Sequence, residues 1–490
     1  MQEHVLDQML DQMLDVRQDK LKEECGVFGV YSFDGHDVSG LAYNALFALQ
    51  HRGQESAGIA VNNAGMIGSY KNMGLVSEVF DTSILSILQG QSAIGHVRYS
   101  TTGDSLKENA QPMVVKYRNG QIALAHNGNV TNARQIRDGL EDQGSLFQTT
   151  SDTEVILSLI SRHRLKSENV IEAIKSTAKD LIGSYSLVLL TTNNLIGVRD
   201  PLGIRPLCLG KLDNSYVLAS ESCALDAVDA EFVRDIEPGE IIVINKSGVD
   251  SFFIDDIPKK ARLCIFEHVY FARPDSIIDG ASVYESRREA GKRLAIEHPV
   301  DADVVMGVPD SGLAAAMGFA DQLGIHYGHG LLKNRYVART FIQPGQGKRE
   351  SSVKLKFNAM KAVVSGKRVV MVDDSIVRGT TIIKIIEMLK KAGAVEVHMR
   401  VSSPPLLHPC FYGVDISRRE ELIAASNSVE EIREIIGADS LGYLSVEGLR
   451  ATPKESKLEF CTACLNGEYP TELSERHKKQ AFCEVAKVQD

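Results

Sequence analysis

The chain has 490 residues, which is enough for two to four domains with sizeable cores. Its 54 Lys and Arg against 64 Asp and Glu give a net charge of −10 without a basic block, so we expect no nucleic-acid partner. The hydrophobic content of 43% and charged content of 24% are ordinary globular values, which exclude a disordered or collagen-like chain. No apolar run reaches the roughly 18 residues of a membrane span, so we also expect no membrane partner. Eight cysteines in this length are too few for a disulfide scaffold.

The first 24 residues repeat the tetrad Leu-Asp-Gln-Met, beginning at Leu6 and at Leu10. The repeat puts its apolar side chains on one helical face and predicts an amphipathic helix, weakened by aspartates at i, i+4 spacing. The segment lacks the cationic start and apolar core of a secretory signal, and it is too acidic for a mitochondrial transit peptide.

From Cys25 to about Gly248 the sequence alternates short strand-like runs with turn signals such as Asn127-Gly128. Helical spacing is confined to a few stretches, chiefly Ala42–Gln50 and Thr153–Arg164. The pattern predicts a layered α+β domain with antiparallel sheets. The predicted strands are Gly26–Ser32, Ile94–Tyr99, Ile122–His126, Ser186–Thr191, Ile196–Arg199, Tyr216–Ser220 and Ile241–Asn245.

The composition turns polar over 251–262, which predicts a linker, and the rhythm then changes to strand–helix–strand. This alternation is typical of a parallel sheet built from βαβ units. The predicted strands are Val304–Val308, Arg368–Val372 and Glu396–Val401, and the helices between them are Ser311–Leu323 and Thr381–Gly393. Residues 451–490 form a polar tail with two closely spaced cysteines.

Four short motifs in the first domain carry reactive or polar groups: Cys25-Gly-Val-Phe-Gly, His51-Arg-Gly-Gln-Glu, Gly95-His-Val-Arg and His126-Asn-Gly-Asn. Each has an ordinary structural interpretation when taken alone. A lone cysteine is most often a buried packing residue, and Asn-Gly is a strong hairpin-turn signal. Ser151 or Asp152 could serve as the N-cap of a helix.

Taken together, the four motifs resemble the glutaminase domain of class II glutamine amidotransferases. The resemblance implies an N-terminal-nucleophile hydrolase domain over 25–255, with αββα layers, and a propeptide over 1–24 whose removal makes Cys25 the first residue. The α-amine of Cys25 would then act as general base, because its ordinary pKa of ~7.7–8.0 lies near working pH. By the same resemblance Asn127 and Gly128 form the oxyanion hole, while Arg98 binds the α-carboxylate of glutamine and Asp152 its α-ammonium group.

The most informative run in the second half extends from Arg368 to Thr381. Four apolar residues end in the paired carboxylates Asp373 and Asp374, and a loop rich in Gly and Thr then opens a helix. Free backbone N–H groups at a helix N-terminus, hydroxyls and a permissive glycine suit a phosphate group.

This run resembles the phosphoribosylpyrophosphate (PRPP) signature of type I phosphoribosyltransferases. The resemblance implies an α/β domain over 256–450 with a parallel sheet, in which Asp373 and Asp374 bind the ribose hydroxyls and help to hold Mg²⁺ together with Ser311. The 5′-phosphate would be bound by the loop residues Ser375, Gly379, Thr380 and Thr381. The run that contains Lys333, Arg335 and Tyr336 resembles the family's mobile loop over PRPP, and the alternative interpretation is a solvated charged loop.

Cys461 and Cys464 form a C-x₂-C pair, and Cys264 and Cys410 lie far upstream. Four thiolates suit either a [4Fe–4S] cluster or structural Zn²⁺, and spacing does not separate the two. The resemblance favours the iron–sulfur cluster, carried by one branch of these enzymes, with 451–490 as the tail that holds two of its ligands. We interpret Cys208, Cys223 and Cys483 as ordinary thiols.

Both resemblances together imply glutamine-dependent transfer of ammonia to PRPP, which yields 5-phosphoribosylamine, glutamate and pyrophosphate in the first committed step of purine synthesis. They also imply a cytoplasmic homotetramer that purine nucleotides inhibit. Two alternatives are a class II amidotransferase with another ammonia acceptor and a regulator that senses PRPP without catalysis.

Overall fold

The computed structural model describes residues 25–99, 106–117, 120–255, 260–334, 356–416 and 418–474. Its first region contains two stacked sheets, both entirely antiparallel. The first sheet has seven strands in the order Glu231–Asp235, Cys208–Leu212, Ser215–Ala219, Gly26–Ser32, Ser92–Arg98, Ser56–Asn63 and Met66–Met73. The second has six, in the order Gly248–Phe253, Glu240–Asn245, Leu195–Arg199, Gly183–Thr191, Gly120–Val130 and Met113–Tyr117.

The two sheets share an apolar core and are covered on their outer faces by helices. Strand Gly26–Ser32 is buried at all seven positions because its alternate side chains face different layers. Val27 packs between the sheets, whereas Phe28 and Val30 pack beneath helix Ser39–Ala48. Helices Asp152–Arg164 and Val170–Asp180 cover the outer face of the second sheet. The predicted αββα layering is therefore confirmed.

The alternative interpretation of Asn127-Gly128 as a hairpin turn is wrong. Both residues lie inside the long strand Gly120–Val130, where Asn127 pairs with Ser186 and Gly128 with Tyr185. Local Asn-Gly preference gives way here to pairing with a strand more than 50 residues further along the chain. Of the two residues that could cap the next helix, Ser151 is the N-cap and Asp152 is not. The Ser151 side chain accepts the capping hydrogen bond from the Thr153 backbone N–H.

The linker predicted over 251–262 is wrong at both of its ends. Residues 251–253 complete strand Gly248–Phe253, and Arg262 begins a short strand, Arg262–Cys264. The latter pairs in parallel with Glu459–Cys461 from the C-terminal tail, which is consequently part of the folded body. Residues 256–259 lie outside the described part.

The second region is built on a four-stranded parallel sheet in the order Val304–Gly307, Arg368–Asp373, Glu396–Val401 and Ser440–Tyr443. Alternate residues of its strands face two separate cores, as expected for a parallel sheet covered on both sides. Val305 and Val370 face helices Val283–Glu297 and Gly312–Leu323, whereas Met306 and Met371 face helix Thr380–Lys391. The predicted parallel sheet is confirmed.

Shorter elements complete the described chain. Two further antiparallel pairs are Ile277–Ile278 with Ala281–Ser282 and Leu331–Lys333 with Phe357–Ala359. The remaining helical segments are Val76–Val79, Thr82–Ile87, Lys107–Asn109, Ala133–Glu141, Ser222–Asp226, Glu267–Phe271, Lys361–Val364, Arg419–Glu421, Ile423–Ser426, Val429–Ile436, Val446–Arg450 and Ala463–Asn466. Glu267–Phe271 is a single π-helical segment. Within the described residues, no helix combines the length and the apolar character needed to cross a membrane.

Two candidate active sites and the junction between them

Cys25 lies at the start of the central strand of the first sheet and is only 8% exposed. Its Sγ donates a hydrogen bond to the Tyr99 carbonyl at 3.4 Å. Burial raises the pKa of the thiol to about 11, and the charges of Arg98, Asp152 and Glu55 also act on it. The fold therefore brings Arg98 and Asp152, both predicted to bind substrate, into the electrostatic neighbourhood of the predicted nucleophile.

Asn127 carries the most unusual polar group of this site. Its side chain is 0% exposed, and neither its Nδ2 nor its Oδ1 has a hydrogen-bond partner among the described residues. A buried amide without partners is costly, so its retention calls for an explanation. The next residue, Gly128, has a φ of +144°, and a Cβ there would lie 2.2 Å from the Ser184 carbonyl oxygen. Only glycine fits this position, which lies directly beside the unpartnered amide.

Arg98 and Asp152 approach the nucleophile from different elements. Arg98 ends its strand, is 2% exposed, and has the Glu55 carboxylate 3.9 Å away. Asp152 begins a helix and accepts a hydrogen bond from the Val130 backbone N–H at 3.1 Å. Burial alone would raise the pKa of Asp152, but His126, with its Nδ1 at 3.4 Å, and backbone N–H donors lower it below its ordinary value. A buried cation and a buried carboxylate suit the two charged ends of an amino acid.

The second candidate site lies at the carboxyl end of the parallel strand Arg368–Asp373. The Asp374 backbone N–H donates to the Asp373 carboxylate at 2.9 Å. The Asp374 carboxylate accepts from the Ser375 hydroxyl at 2.6 Å and from the Ser311 hydroxyl. The fold thus brings Ser311 to the acidic pair from a different strand–helix junction. All the side-chain atoms of this set that could bind a metal ion are oxygens, and Mg²⁺ prefers oxygen ligands.

The predicted phosphate loop surrounds a small hollow in front of helix Thr380–Lys391. Gly379 directly precedes the helix and has a φ of +83°, a conformation that favours glycine. The turn at Gly379 leads into the first turn of the helix, whose N–H groups can bind a phosphate. Thr380 begins the helix. The residues that line the hollow are Asp373, Ser375, Ile376, Val377, Gly379, Thr381 and Ile382.

Lys333 ends a short strand, and its ammonium group contacts the Asp310 carboxylate next to Ser311. This contact places one of the predicted PRPP-binding cations at the edge of the acidic site. Arg335 and Tyr336 lie outside the described residues.

Cys264, Cys410, Cys461 and Cys464 converge beneath the domain junction. Cys264 and Cys461 are register partners on parallel strands. The pKa of Cys464 is raised well above its ordinary value, mainly by burial and next by the nearby thiols of Cys410, Cys264 and Cys461. Among the residues that the structure describes, however, no three Cys, His, Asp or Glu side chains meet at a position for one metal ion. The fold nevertheless places the thiols of Cys264, Cys410 and Cys461 close enough to that of Cys464 to act on its pKa.

Two buried glutamates and two buried arginines connect the first domain to the second. The Glu267 carboxylate receives Arg52 at 2.8 and 3.0 Å and Arg205 at 3.4 Å. Arg52 also donates to Glu221 at 2.5 Å and, through Nε, to the Cys25 carbonyl at 3.1 Å. The four charged side chains are 0% exposed. This cluster, which we call the junction network, ties the backbone of the predicted nucleophile to the π-helical segment Glu267–Phe271 of the second region.

Sequence reasoning missed the junction network. It noted Arg52 within a motif without a role, and it did not single out Glu221 or Glu267. The one available signal was charged residues within largely apolar surroundings, such as Ile265-Phe266-Glu267-His268-Val269. Charged residues are rarely buried unless they are paired. The two glutamates that pair with Arg52 lie 169 and 215 residues away from it in the chain.

Each of the two regions is similar to a known domain family. A sequence model of the glutamine amidotransferase domain matches residues 96–227, and one of the phosphoribosyl transferase domain matches 284–403. An amidophosphoribosyltransferase of Archaeoglobus fulgidus is 53% identical over 92% of this chain and 98% of its own length. One from Bacillus subtilis is 50% identical over 92% of this chain and 95% of its own.

A solved structure gives the same result. The glutamine PRPP amidotransferase of Bacillus subtilis, complexed with ADP and GMP, superposes with a TM-score of 0.86 at 49% identity. The superposition covers 92% of this chain and 99% of the other.

Proposed function

The chain belongs to the amidophosphoribosyltransferase family, and from this premise we propose how its own residues divide the reaction. The enzyme takes part in the first step of purine synthesis. In our proposal, Cys25 attacks the carboxamide carbon of glutamine, and Asn127 and Gly128 stabilise the oxyanion that forms. The observation that carries this proposal is the buried, unpartnered amide of Asn127, because an oxyanion would supply the acceptor that its Nδ2 lacks.

The proton of the Cys25 thiol needs a base. Burial holds the pKa of the thiol near 11, so the group is protonated at neutral pH. The α-amine of the same residue has an ordinary pKa of ~7.7–8.0 and can accept that proton, whereas a peptide nitrogen cannot. The proposal therefore requires that residues 1–24 are removed as a propeptide.

Glutamine would be oriented by its charged end. Arg98 pairs with the α-carboxylate, and Asp152, kept ionised by His126 and backbone N–H groups, pairs with the α-ammonium group. Attack by Cys25 forms a thioester and breaks the C–N bond, which releases ammonia, and water then hydrolyses the thioester to glutamate.

PRPP would bind at the carboxyl end of the parallel sheet. Asp373 and Asp374 accept hydrogen bonds from the ribose hydroxyls, while the loop residues Ser375, Gly379, Thr380 and Thr381 bind the 5′-phosphate at the helix N-terminus. Lys333 would neutralise part of the pyrophosphate charge, and the same role is proposed for Arg335. Tyr336 is proposed to bind PRPP as a neutral side chain. Ammonia forms the C1–N bond as the C1–O bond to pyrophosphate breaks, which gives 5-phosphoribosylamine.

Asp373, Asp374 and Ser311 are the residues that would hold Mg²⁺. Their oxygen atoms fit a hard cation, and the substrate and water would complete its coordination. When bound, the ion would supply charge neutralisation for the leaving pyrophosphate.

Cys264, Cys410, Cys461 and Cys464 are the proposed ligands of a [4Fe–4S] cluster. Family resemblance favours the cluster over Zn²⁺, and the proximity of these buried or half-buried thiols supports a shared site. The cluster would supply a cross-link between the C-terminal tail, the domain junction and the transferase domain. Free thiols of this kind fit a cytoplasmic setting, where thiols stay reduced.

The bound nucleotides of the Bacillus subtilis structure support inhibition by purine nucleotides. We also propose a homotetramer, on family resemblance alone. Analytical ultracentrifugation tests the homotetramer, and a monomer would contradict it. Steady-state assays with and without ADP and GMP test inhibition, and an activity that neither nucleotide lowers would contradict it.

The deciding experiment is intact-mass measurement of anaerobically purified protein, under denaturing and native conditions. We expect the denatured chain to begin at Cys25, and the native mass per chain to exceed that of the denatured chain by four iron and four sulfide ions. An active enzyme that retains residues 1–24 would contradict the proposed base, and a mass increase that fits one zinc ion would contradict the cluster.

A further inference from the structure

A segment of the transferase half, residues 411–413, packs directly against the proposed oxyanion hole. The Asn129 side-chain amide donates to the Phe411 carbonyl at 2.9 Å, and the Ser184 hydroxyl donates to the Tyr412 carbonyl at 2.7 Å. A Cβ on Gly413 would lie 3.5 Å from the carbonyl carbon of Gly128. These contacts cross 228 or more residues of sequence and join the two functional halves.

The residues that receive these contacts surround Gly128. Asn129 follows it in the strand, and Ser184 is the register partner of Asn129. The Ser184 carbonyl also faces the position where a side chain on Gly128 would lie. Segment 411–413 thus contacts both the strand that carries the proposed oxyanion donor and the neighbouring strand that pairs with it.

The C-terminal tail holds this segment in place. The Tyr412 hydroxyl is 2.8 Å from the Thr471 hydroxyl and accepts from the Thr471 backbone N–H at 3.2 Å. Tyr469 donates to the Pro409 carbonyl at 2.6 Å, and its ring packs on Phe411 with centroids 5.3 Å apart. Arg205 of the glutaminase half donates through Nε to the Tyr412 carbonyl at 3.0 Å. Segment 411–413 is therefore fixed from both sides.

We infer that segment 411–413 is the supporting wall of the oxyanion hole and that Asn129 and Tyr412 are positioning residues for glutamine hydrolysis. The inference rests on the proposed roles of Cys25, Asn127 and Gly128. An oxyanion donor works only within about 2.7–3.1 Å of the developing charge, so a small displacement of the strand lowers the rate. Ammonia added from solution bypasses this hole, and its transfer to PRPP does not depend on the wall.

The test compares glutamine-dependent and ammonia-dependent synthesis in the full-length, anaerobically purified enzyme. For Asn129→Ala we expect the glutamine-dependent kcat to fall about 10–100-fold, as for a displacement of up to 1 Å, with KM for glutamine nearly unchanged. Ammonia-dependent synthesis should stay within twofold. Tyr412→Phe, which removes one hydroxyl and keeps the ring, should shift the ratio of the two activities in the same direction by a smaller factor.

Asn132→Ala is the matched control. Asn132 follows the same strand and donates to the Asp180 carbonyl at 2.8 Å, within its own domain and away from segment 411–413. We expect it to leave the activity ratio unchanged. Equal loss of both activities in Tyr412→Phe, or an unchanged ratio in both Asn129→Ala and Tyr412→Phe, would overturn the inference.

Asn127→Ala separates this inference from the proposed function beneath it. If Asn127→Ala keeps glutamine-dependent activity, the proposed oxyanion hole itself is wrong. If Asn127→Ala loses that activity while Asn129→Ala and Tyr412→Phe keep it, the hole stands and the supporting wall does not. If Asn129→Ala does not fold, the ratio measured for Tyr412→Phe decides.

Discussion

The glutaminase site collects its side chains from separated stretches of chain, whereas the phosphate cradle of the transferase site is one continuous run, 373–381. Cys25, Arg98, Asn127 and Asp152 come from three strands and a helix, and each is 8% exposed or less. The cradle instead wraps a hollow at the end of one strand and the start of one helix. A site that must exclude water from a reactive thioester therefore draws residues from several distant segments. A phosphate site can be built from one loop and the helix that follows it.

The strongest test of this comparison is removal of the nucleophile. Cys25→Ser should lower glutamine-dependent synthesis by at least about 10⁴-fold, because a buried hydroxyl without thiol reactivity cannot form the acyl-enzyme at a useful rate. Ammonia-dependent synthesis should remain within a few-fold, since the transferase site is built from other residues. Steady-state assays with each nitrogen source measure both values, and parallel loss of the two activities would show that the sites are not separable.

The reciprocal test alters the transferase site. Asp374→Asn should lower both glutamine- and ammonia-dependent synthesis by about 10²–10³-fold, since a charged hydrogen-bond acceptor for the ribose and a proposed Mg²⁺ ligand is lost. Covalent labelling of Cys25 by a glutamine-like electrophile should proceed as in the wild type. If ammonia-dependent synthesis survived in Asp374→Asn, the assignment of the acidic pair would be wrong.

The same contrast explains how much the sequence predicted. The cradle was located from its own residues because strand, carboxylates, loop and helix follow one another along the chain. The parallel sheet and the antiparallel α+β layers followed from the local pattern in the same way, whereas the αββα order came from the family resemblance. The dipeptide Asn127-Gly128 by itself favours a turn, and only pairing with strand Gly183–Thr191 makes it part of a strand.

The junction between the sites was not predictable from local pattern. Glu267 is one acidic residue in an apolar stretch, and its meaning depends on Arg52 and Arg205, far away in the chain. The tail was predicted as a polar segment that carries two cluster ligands, yet strand Glu459–Cys461 and helix Ala463–Asn466 are part of the core. Side chains whose partners lie hundreds of residues away leave no periodic signal.

The junction network provides the third test. Glu267→Gln removes the charge that faces Arg52 and Arg205 and leaves two buried guanidinium groups under-compensated, with Glu221 as the remaining carboxylate among the four charges. Breaking a buried charge pair in this way should cost about 3–5 kcal/mol of unfolding free energy. The shift of the urea midpoint in anaerobic buffer measures it.

The exposed pair Lys179–Asp255, whose N–O distance is 3.2 Å, is the control for that test. Asp255→Asn should cost no more than about 1 kcal/mol, because solvent screens both groups. If Glu267→Gln were no more destabilising than Asp255→Asn, the junction network would contribute little to holding the two halves together.

The smallest expected effect concerns His268, the residue after Glu267. Its ring is 2% exposed and meets the Phe460 ring edge-on at 5.9 Å, and neither ring nitrogen has a partner among the described residues. Burial lowers the pKa of His268 to about 4, so the unfolded chain binds a proton at a higher pH than the folded chain does. Stability should therefore fall as pH decreases from about 6.5 towards 4, by at most about 1.4 kcal/mol per pH unit from this group.

Urea unfolding of His268→Leu between pH 7.5 and 5 checks this sign. The variant should lose part of the wild-type decrease in stability below pH 6.5, because leucine has no proton to take up on unfolding. His36→Gln, a change at an exposed position, is the control and should keep the wild-type slope. An unchanged slope in His268→Leu would mean that the ring is already protonated or solvated in the folded protein. Water would then reach the domain junction near Glu267, although the glutaminase site beside it is buried. The contrast between the buried glutaminase site and the more open transferase site would no longer hold at this junction.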